Sequence, residues 1–136
     1  MKAKDLMVGD WVIRRGVPEE HMQIYDTKAS AGIAYLDQDG RGITEKFENI
    51  EPIPLTSDVL EKNEFKEDFE TNGIYWRPDC RKFCIVKELD TWYFAFRVLG
   101  KTVDKSSGYI CISECGYVHK LQHMLRDLEI EKEIVL

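Results

Sequence analysis

The segment with Pro52 and Pro54 constrains the fold more than any other stretch, because the two prolines lie one residue apart. Each proline fixes its own backbone, withholds an N–H donor and disfavours helix at the residue before it. Strand pairing should therefore stop here. Thr56 follows as a candidate helix N-cap, and Leu55 with Leu60 fits a hydrophobic staple. The sequence thus predicts a boundary between a strand-rich part and a part that opens with a helix.

We predict an α+β protein with a small β-barrel over residues 1–55 and an α+β unit over residues 56–136. A chain of 136 residues is long enough for one ordinary domain or for two small ones that share a core. The first part has four or five short strand candidates, and so small a sheet must curl to bury one face. In the second part we expect an antiparallel sheet packed by a short helix and a C-terminal amphipathic helix. The apolar residues around positions 130–136 fit a final strand that could add to this sheet.

Charge and hydropathy narrow the function classes. The net charge of −6 and the pI of about 5.1 argue against binding to phosphate backbones. The N-terminus has no apolar signal-peptide region, and no apolar run approaches membrane-spanning length. We therefore expect a cytoplasmic protein without membrane association.

The four cysteines are predicted to be free thiols. A zinc site is the alternative, but Cys84 begins a strand-like run, and an extended Cys80 would lie about 13 Å from it. That separation is too large for one tetrahedral ion. The other pair, Cys111 and Cys115, has the same spacing.

The segment 37–48 has the length of a calcium-binding loop, with Asp at its first and third positions, Gly at the sixth and Glu at the twelfth. Its fifth position carries Arg41, a cation that would repel the ion. Both flanks look like strands instead of the helices of an EF-hand. We therefore predict a hairpin with Asp39-Gly40 at its tip.

The best-defined helix is predicted from Tyr117 to about Glu129, where apolar residues form one stripe. His119 and His123 are one turn apart and nearly opposite that stripe, so we expect them outside the core. The pair could bind a metal ion with a third ligand such as His21 or an acidic residue. Lys120 stands where the zinc motif H-E-x-x-H has its catalytic Glu, so the hydrolytic base is missing.

The stripe of Trp92, Phe94 and Phe96 on one face of a predicted strand could be a stacking platform for bases or peptides, but such stripes are more often core. Surface residues from this stripe and from the last helix could form an interaction surface. The candidates are Trp92, Phe94, His119, His123 and Arg126.

Short motifs carry a resemblance to known families. The run Val8-Gly9-Asp10-Trp11-Val12 resembles the start of many SH3-like barrels, which mostly serve as binding modules. Together with the segments 50–56, 60–65 and 117–123, it makes the chain similar to a family of small uncharacterised bacterial proteins associated with phage-like or mobile elements. Members commonly have Gly at the position of Glu64, where glycine would favour a left-handed helix cap. The resemblance implies an architecture and a bacterial context, and no activity.

These observations favour a non-enzymatic module that binds a protein partner. The sequence has no glycine-rich phosphate loop, activated-nucleophile signature or paired-acid motif, so we expect no cofactor. One alternative is a metal-dependent protein or enzyme centred on His119 and His123. A further alternative is single-stranded nucleic-acid binding through the barrel, against which the acidic composition argues.

Overall fold

The computed structural model describes residues 5–28, 32–36, 39–69, 72–78, 80–97, 109–130 and 133–136. Within these residues the chain forms ten strands and two α-helices. The strands form two antiparallel sheets of five strands each, which confirms the predicted α+β class. The chain divides into two compact units. The first comprises Met1–Pro54 with Tyr117–Glu131, and the second comprises Leu55–Gly116 with Lys132–Leu136.

The sheet of the first unit has the strand order β4-β3-β2-β1-β5. β2 is the longest strand, and it pairs with β1 through its first part and with β3 through its second part, so one strand serves both halves of the sheet. β4 and β5 lie at the two edges of this order, so the sheet is not a closed barrel and the predicted SH3-like barrel is not confirmed. The bounds are β1 Trp11–Arg14, β2 Val17–Lys28, β3 Gly32–Leu36, β4 Gly42–Glu45 and β5 Ile50–Pro52.

One face of this sheet forms the core of the first unit. Along β2 the buried side chains of Met22 and Ile24 alternate with the exposed Gln23 and Tyr25, which is the two-residue period of a strand with one face covered. The core cluster is Leu6, Val12, Met22, Ile24, Ile33, Tyr35 and Ile50.

The hairpin predicted at Asp39-Gly40 is confirmed. β3 and β4 pair antiparallel on either side of this turn, and Gly40 has a φ of +77°, a conformation that glycine adopts at little cost. The flanks of the candidate calcium loop are thus strands, as the hairpin interpretation requires.

The second unit contains a sheet of order β10-β9-β8-β7-β6. Its core is aromatic: the Phe83 and Phe94 rings stack with centroids 5.2 Å apart, and Phe65 meets Phe83 edge-on at 6.1 Å. Tyr75 and Trp92 make a further edge-on pair at 5.5 Å. The bounds are β6 Lys66–Glu67, β7 Ile74–Arg77, β8 Cys80–Glu88, β9 Thr91–Arg97 and β10 Tyr109–Glu114.

Helix α1 (Ser57–Lys62) begins as the sequence predicts. The Thr56 hydroxyl accepts a hydrogen bond from the Val59 N–H at 3.3 Å, and Leu55 and Leu60 are both buried. The helix is followed by Glu64 with a φ of 69°, so a left-handed residue ends it although this residue is not glycine.

Helix α2 (Val118–Asp127) belongs to the first unit, whereas we predicted that it packs on the sheet of the second part. The Val118 N–H donates to the Ile53 carbonyl at 2.9 Å, which starts the helix beside the segment after β5. The predicted boundary between residues 55 and 56 lies one residue from the observed division at Pro54 and Leu55. The predicted unit 56–136 differs from the observed one because the chain returns to the first unit at Tyr117.

The final strand predicted around residues 130–136 does not form in residues 133–136. Asn63 takes the place of a partner strand there: its side-chain amide donates to the Val135 carbonyl at 2.8 Å and accepts from the Val135 N–H at 2.7 Å. The neighbouring Ile134 is buried. A single side chain thus anchors the C-terminal segment to the second unit.

Neither of the helices in the described part of the chain has the length and apolar composition that a membrane crossing requires.

Candidate functional site

A surface cleft of about 660 Å³ is lined by the β1–β2 and β3–β4 hairpins of the first unit, a volume within the usual range of ligand sites. The tight β1–β2 turn is made at Gly16, whose φ is +81°. We call this feature the hairpin cleft. The lining residues that matter most for its chemistry are Arg14, Val17, Glu19, His21, Leu36 and Asp39.

Arg14 connects the strands on which the cleft is built. Its guanidinium lies 3.4 Å from a Glu20 carboxylate oxygen and 3.5 Å from one of Glu45, and it donates a hydrogen bond to the Tyr35 hydroxyl. The interaction with Tyr35 and the two carboxylates raises the pKa of Arg14 further above its ordinary value. This cation is therefore permanently charged, and it is already matched by carboxylates of its own chain.

The cleft also exposes aliphatic side chains. Leu36 at the end of β3 is 54% exposed and Val17 at the start of β2 is 37% exposed. The lining also includes the buried Met22 and Tyr35 and the half-buried Ile43. The lining therefore combines an apolar surface with charged groups.

The remaining charge of the cleft is negative. Its lining holds the three carboxylates of Glu19, Glu20 and Asp39 against the one guanidinium of Arg14. Glu20 is paired with Arg14, whereas Glu19 has no ion-pair or hydrogen-bond partner among the described residues. A group that enters the cleft near Glu19 therefore meets an uncompensated carboxylate.

The second candidate site is the predicted histidine pair, and its central group is Asp10. The Asp10 carboxylate is fully buried and lies 2.8 and 3.0 Å from the Nε2 atom of His123. It also accepts a hydrogen bond from the Met7 N–H at 2.7 Å, and the Arg126 guanidinium lies 3.9 Å away. His123 and Arg126 are thus the polar partners of a buried acid, as a buried carboxylate requires.

Gln122 adds backbone contacts to the same junction. Its side-chain amide donates to the Gly9 carbonyl at 2.9 Å and accepts from the Trp11 N–H at 2.9 Å. Arg126 donates to the Val8 carbonyl at 3.4 Å. One face of α2 is therefore occupied in holding the turn that precedes β1, and these residues have a structural role.

The prediction that both histidines lie outside the core is wrong for His119, which is only 3% exposed. The Tyr117 ring stacks on it at 5.9 Å, and His123 meets it edge-on at 5.7 Å. Its Nδ1 atom is buried without a hydrogen-bond partner in the described part of the chain. Burial lowers the pKa of His119 from 6.5 to about 4, so the ring is neutral at pH 7. The turn at residues 8–10 contacts the face of α2 that is opposite the apolar stripe. The helical period alone does not show that this face is covered.

The described residues contain no group of three or more His, Cys, Asp or Glu side chains that could hold a metal ion. His21, considered as a third ligand, lies in the hairpin cleft on β2, whereas His119 and His123 lie on α2. Metal binding by the histidine pair stays a prediction.

Three of the cysteines are free thiols in the structure. Cys84 and Cys115 are buried and Cys111 is exposed, while the side chain of Cys80 lies outside the described residues.

Two members of the predicted interaction surface are core residues. Trp92 is 6% exposed and Phe94 is 4% exposed, so neither presents a ring face for stacking. Both belong to the second unit, whereas His119, His123 and Arg126 belong to the first. Trp92 and Phe94 are thus core, the alternative that the sequence favours, whereas Phe96 at the end of the stripe is 39% exposed.

Sequence reasoning missed the hairpin cleft and the burial of Asp10. Val17 and Leu36 lie at strand ends, where an apolar residue gives no clear period, so nothing marked them as a shared surface. The polar residues on one face of α2 did not show that this face is covered. The pairing with Asp10 spans more than one hundred positions and has no local signal.

No family model, no curated protein and no solved structure matches this chain. The resemblance to small bacterial proteins of phage-like elements therefore stays a prediction.

Proposed function

We propose that the chain is a non-enzymatic protein-interaction module that binds an extended segment of a partner protein in the hairpin cleft. The observation that carries the proposal is the cleft itself, in which the exposed Leu36 and Val17 line the surface together with charged side chains. Arg14 connects the strands that form this cleft. Exposed apolar side chains that line one cleft are a common feature of partner-binding surfaces.

The contacts that Arg14 makes favour a preformed site. Its guanidinium contacts Glu20 on β2, Tyr35 on β3 and Glu45 on β4, so the two hairpins are connected before any partner arrives. A connected site loses less conformational entropy on binding than a flexible one. Covering an aliphatic side chain contributes about 1 kcal/mol, so two such contacts and a few polar ones support a modest affinity.

We further propose that the first unit is an open relative of the SH3-like barrel. Its last strand, β5, returns to pair with the first strand, and the 3₁₀ helix Phe47–Asn49 precedes it. The long β2 is shared by both halves of the sheet. These features support the likeness first suggested by the motif at residues 8–12, and barrels of that kind mostly bind partners.

The two other functions considered from the sequence have less support. For metal-dependent chemistry, His119 is buried and the Nε2 atom of His123 is engaged by Asp10. For nucleic-acid binding, carboxylates outnumber cations in the cleft lining, which disfavours a phosphate backbone.

The proposal is tested by selecting random twelve-residue peptides, displayed on phage, against the immobilised full chain. Affinities of the recovered peptides are then measured by fluorescence anisotropy for the wild type and for Leu36→Asp. A charge placed in the apolar part of the cleft should weaken binding about tenfold or more, since it would have to be buried under the peptide.

Ile112→Asp is the matched control, because Ile112 is also 54% exposed on a strand but lies in the second unit. It should leave the affinity within about twofold. Circular dichroism verifies that both variants fold. Recovery of no binding peptide, or of peptides that bind Leu36→Asp as well as the wild type, would refute the proposal.

A further inference from the structure

We propose that the segment bound in the hairpin cleft carries a Lys or Arg side chain, which lies against Glu19 with aliphatic neighbours over Val17 and Leu36. This inference rests on the proposed function and adds the chemical class of the partner. It follows from which charges of the cleft are already matched within the chain and which are not.

The cation of the cleft is matched internally. Arg14 lies 3.4 Å from Glu20 and 3.5 Å from Glu45, and it donates to the Tyr35 hydroxyl. Its charge is thus shared between two carboxylates, one of which does not line the cleft. An anionic partner group would have to compete with both of them for the same guanidinium.

The carboxylate of Glu19 is not matched. It is exposed on β2 close to Val17, and among the described residues it has no ion pair or hydrogen bond. A cation that enters the cleft beside Glu19 therefore meets a favourable potential.

The apolar part of the lining indicates which kind of cationic group fits the cleft. Lys and Arg carry their charge on an aliphatic stem, which can cover an exposed Val or Leu side chain while the charged end remains at a carboxylate. Val17 and Leu36 are the exposed aliphatic residues of the cleft. Lys and Arg side chains on an extended protein segment satisfy both conditions at once.

The test uses four synthetic libraries of twelve-residue peptides whose central residue is fixed as Lys, Arg, Gln or Glu, with random neighbours. Binding to the immobilised full chain is measured at low and at physiological salt. We expect the Lys and Arg libraries to bind about three- to tenfold better than the Gln library, and the Glu library to bind worst. The preference should shrink as salt is added.

Glu19→Gln should abolish most of the Lys and Arg preference, and Glu48→Gln is its control. Glu48 is an exposed acid of the same unit outside the cleft lining, so its loss changes the net charge equally and should leave the preference unchanged. Both sites are exposed, so neither substitution should affect folding.

The outcomes separate this inference from the proposed function. Binding that Leu36→Asp abolishes but that is equal in the Lys, Gln and Glu libraries, or that survives Glu19→Gln with its preference intact, overturns the cationic partner and leaves the proposed function standing. If none of the four libraries binds, the proposed function fails and this inference fails with it.

Discussion

Leu89 has a backbone conformation that its side chain disfavours. It lies in the tight turn between β8 and β9, with a φ of 55° and 95% of its surface exposed. A residue with a branched side chain is strained in this region, and Asn is tolerated there much better. Leu89→Asn should therefore raise the free energy of unfolding by about 0.5–1 kcal/mol, measured by urea denaturation.

Leu89→Ala separates backbone strain from the exposure of a large apolar side chain. Alanine removes the apolar surface but keeps the unfavourable φ, so it should give no comparable gain. An increase with Ala as large as that with Asn would show that strain at this position is not the cause.

His119 should make the stability of the protein depend on pH. Burial lowers its pKa to about 4 in the folded chain, against 6.5 for an ordinary histidine. Between these values the unfolded chain binds the additional proton, so the contribution of neutral His119 is complete above pH 6.5 and is lost as the pH falls towards 4.

The measurement compares the wild type with His119→Phe, which keeps an aromatic ring beside Tyr117 but cannot take up a proton. Relative to the variant, the wild type should lose about 1–2 kcal/mol of unfolding free energy between pH 6.5 and pH 4.5. A difference that does not change with pH would contradict the burial of a neutral ring.

Local chemistry was predictable at some single residues. Thr56 was identified as a helix cap because capping depends on neighbours within three positions, and the structure has the expected bond to Val59. The burial of Asp10 could not be predicted in this way. Its partner His123 is 113 positions away, and a helical period cannot show that a polar face is covered.

At the scale of elements, the attachment of α2 to the first unit depends on side-chain contacts with main-chain groups. Gln122 satisfies both the Gly9 carbonyl and the Trp11 N–H. Gln122→Ala removes two hydrogen bonds, while the Gly9 carbonyl keeps the bond that it accepts from the Gln23 side chain, so the variant should lose about 2 kcal/mol of unfolding free energy.

Hydrogen exchange of the α2 amides measures this effect directly, because local opening of the helix exposes them. Their exchange should accelerate at least about tenfold in Gln122→Ala. Asp127→Ala, at an exposed position of the same helix, is the control and should leave the exchange nearly unchanged. Equal exchange in both variants would mean that the contacts of Gln122 do not hold the helix.

Elements were predicted well where the signal is local and poorly where it is not. The Asp39-Gly40 hairpin and α1 follow from turn and capping residues, and both are present. The location of α2 depends on the return of the chain to Ile53 and Gly9, which no window of sequence contains. The prediction of a final strand was wrong. The side chain of Asn63 makes the hydrogen bonds to Val135 that a partner strand would otherwise make.

At the scale of the whole molecule, the chain consists of two units, each with its own five-stranded sheet, and the proposed function belongs to the first. The double-proline segment marks their division to within one residue. The residues that line the hairpin cleft lie between positions 14 and 43, so the proposed binding is a property of the first unit.

The most direct test of this account is an amide chemical-shift map of the full chain, titrated with a Lys- or Arg-containing peptide recovered from the libraries. We predict that the largest shifts fall at the hairpin cleft, in residues 14–22, 35, 36 and 39–43, and that β10 and α2 change little. Shifts concentrated on His119, His123 and Arg126, or in the second unit, would contradict it.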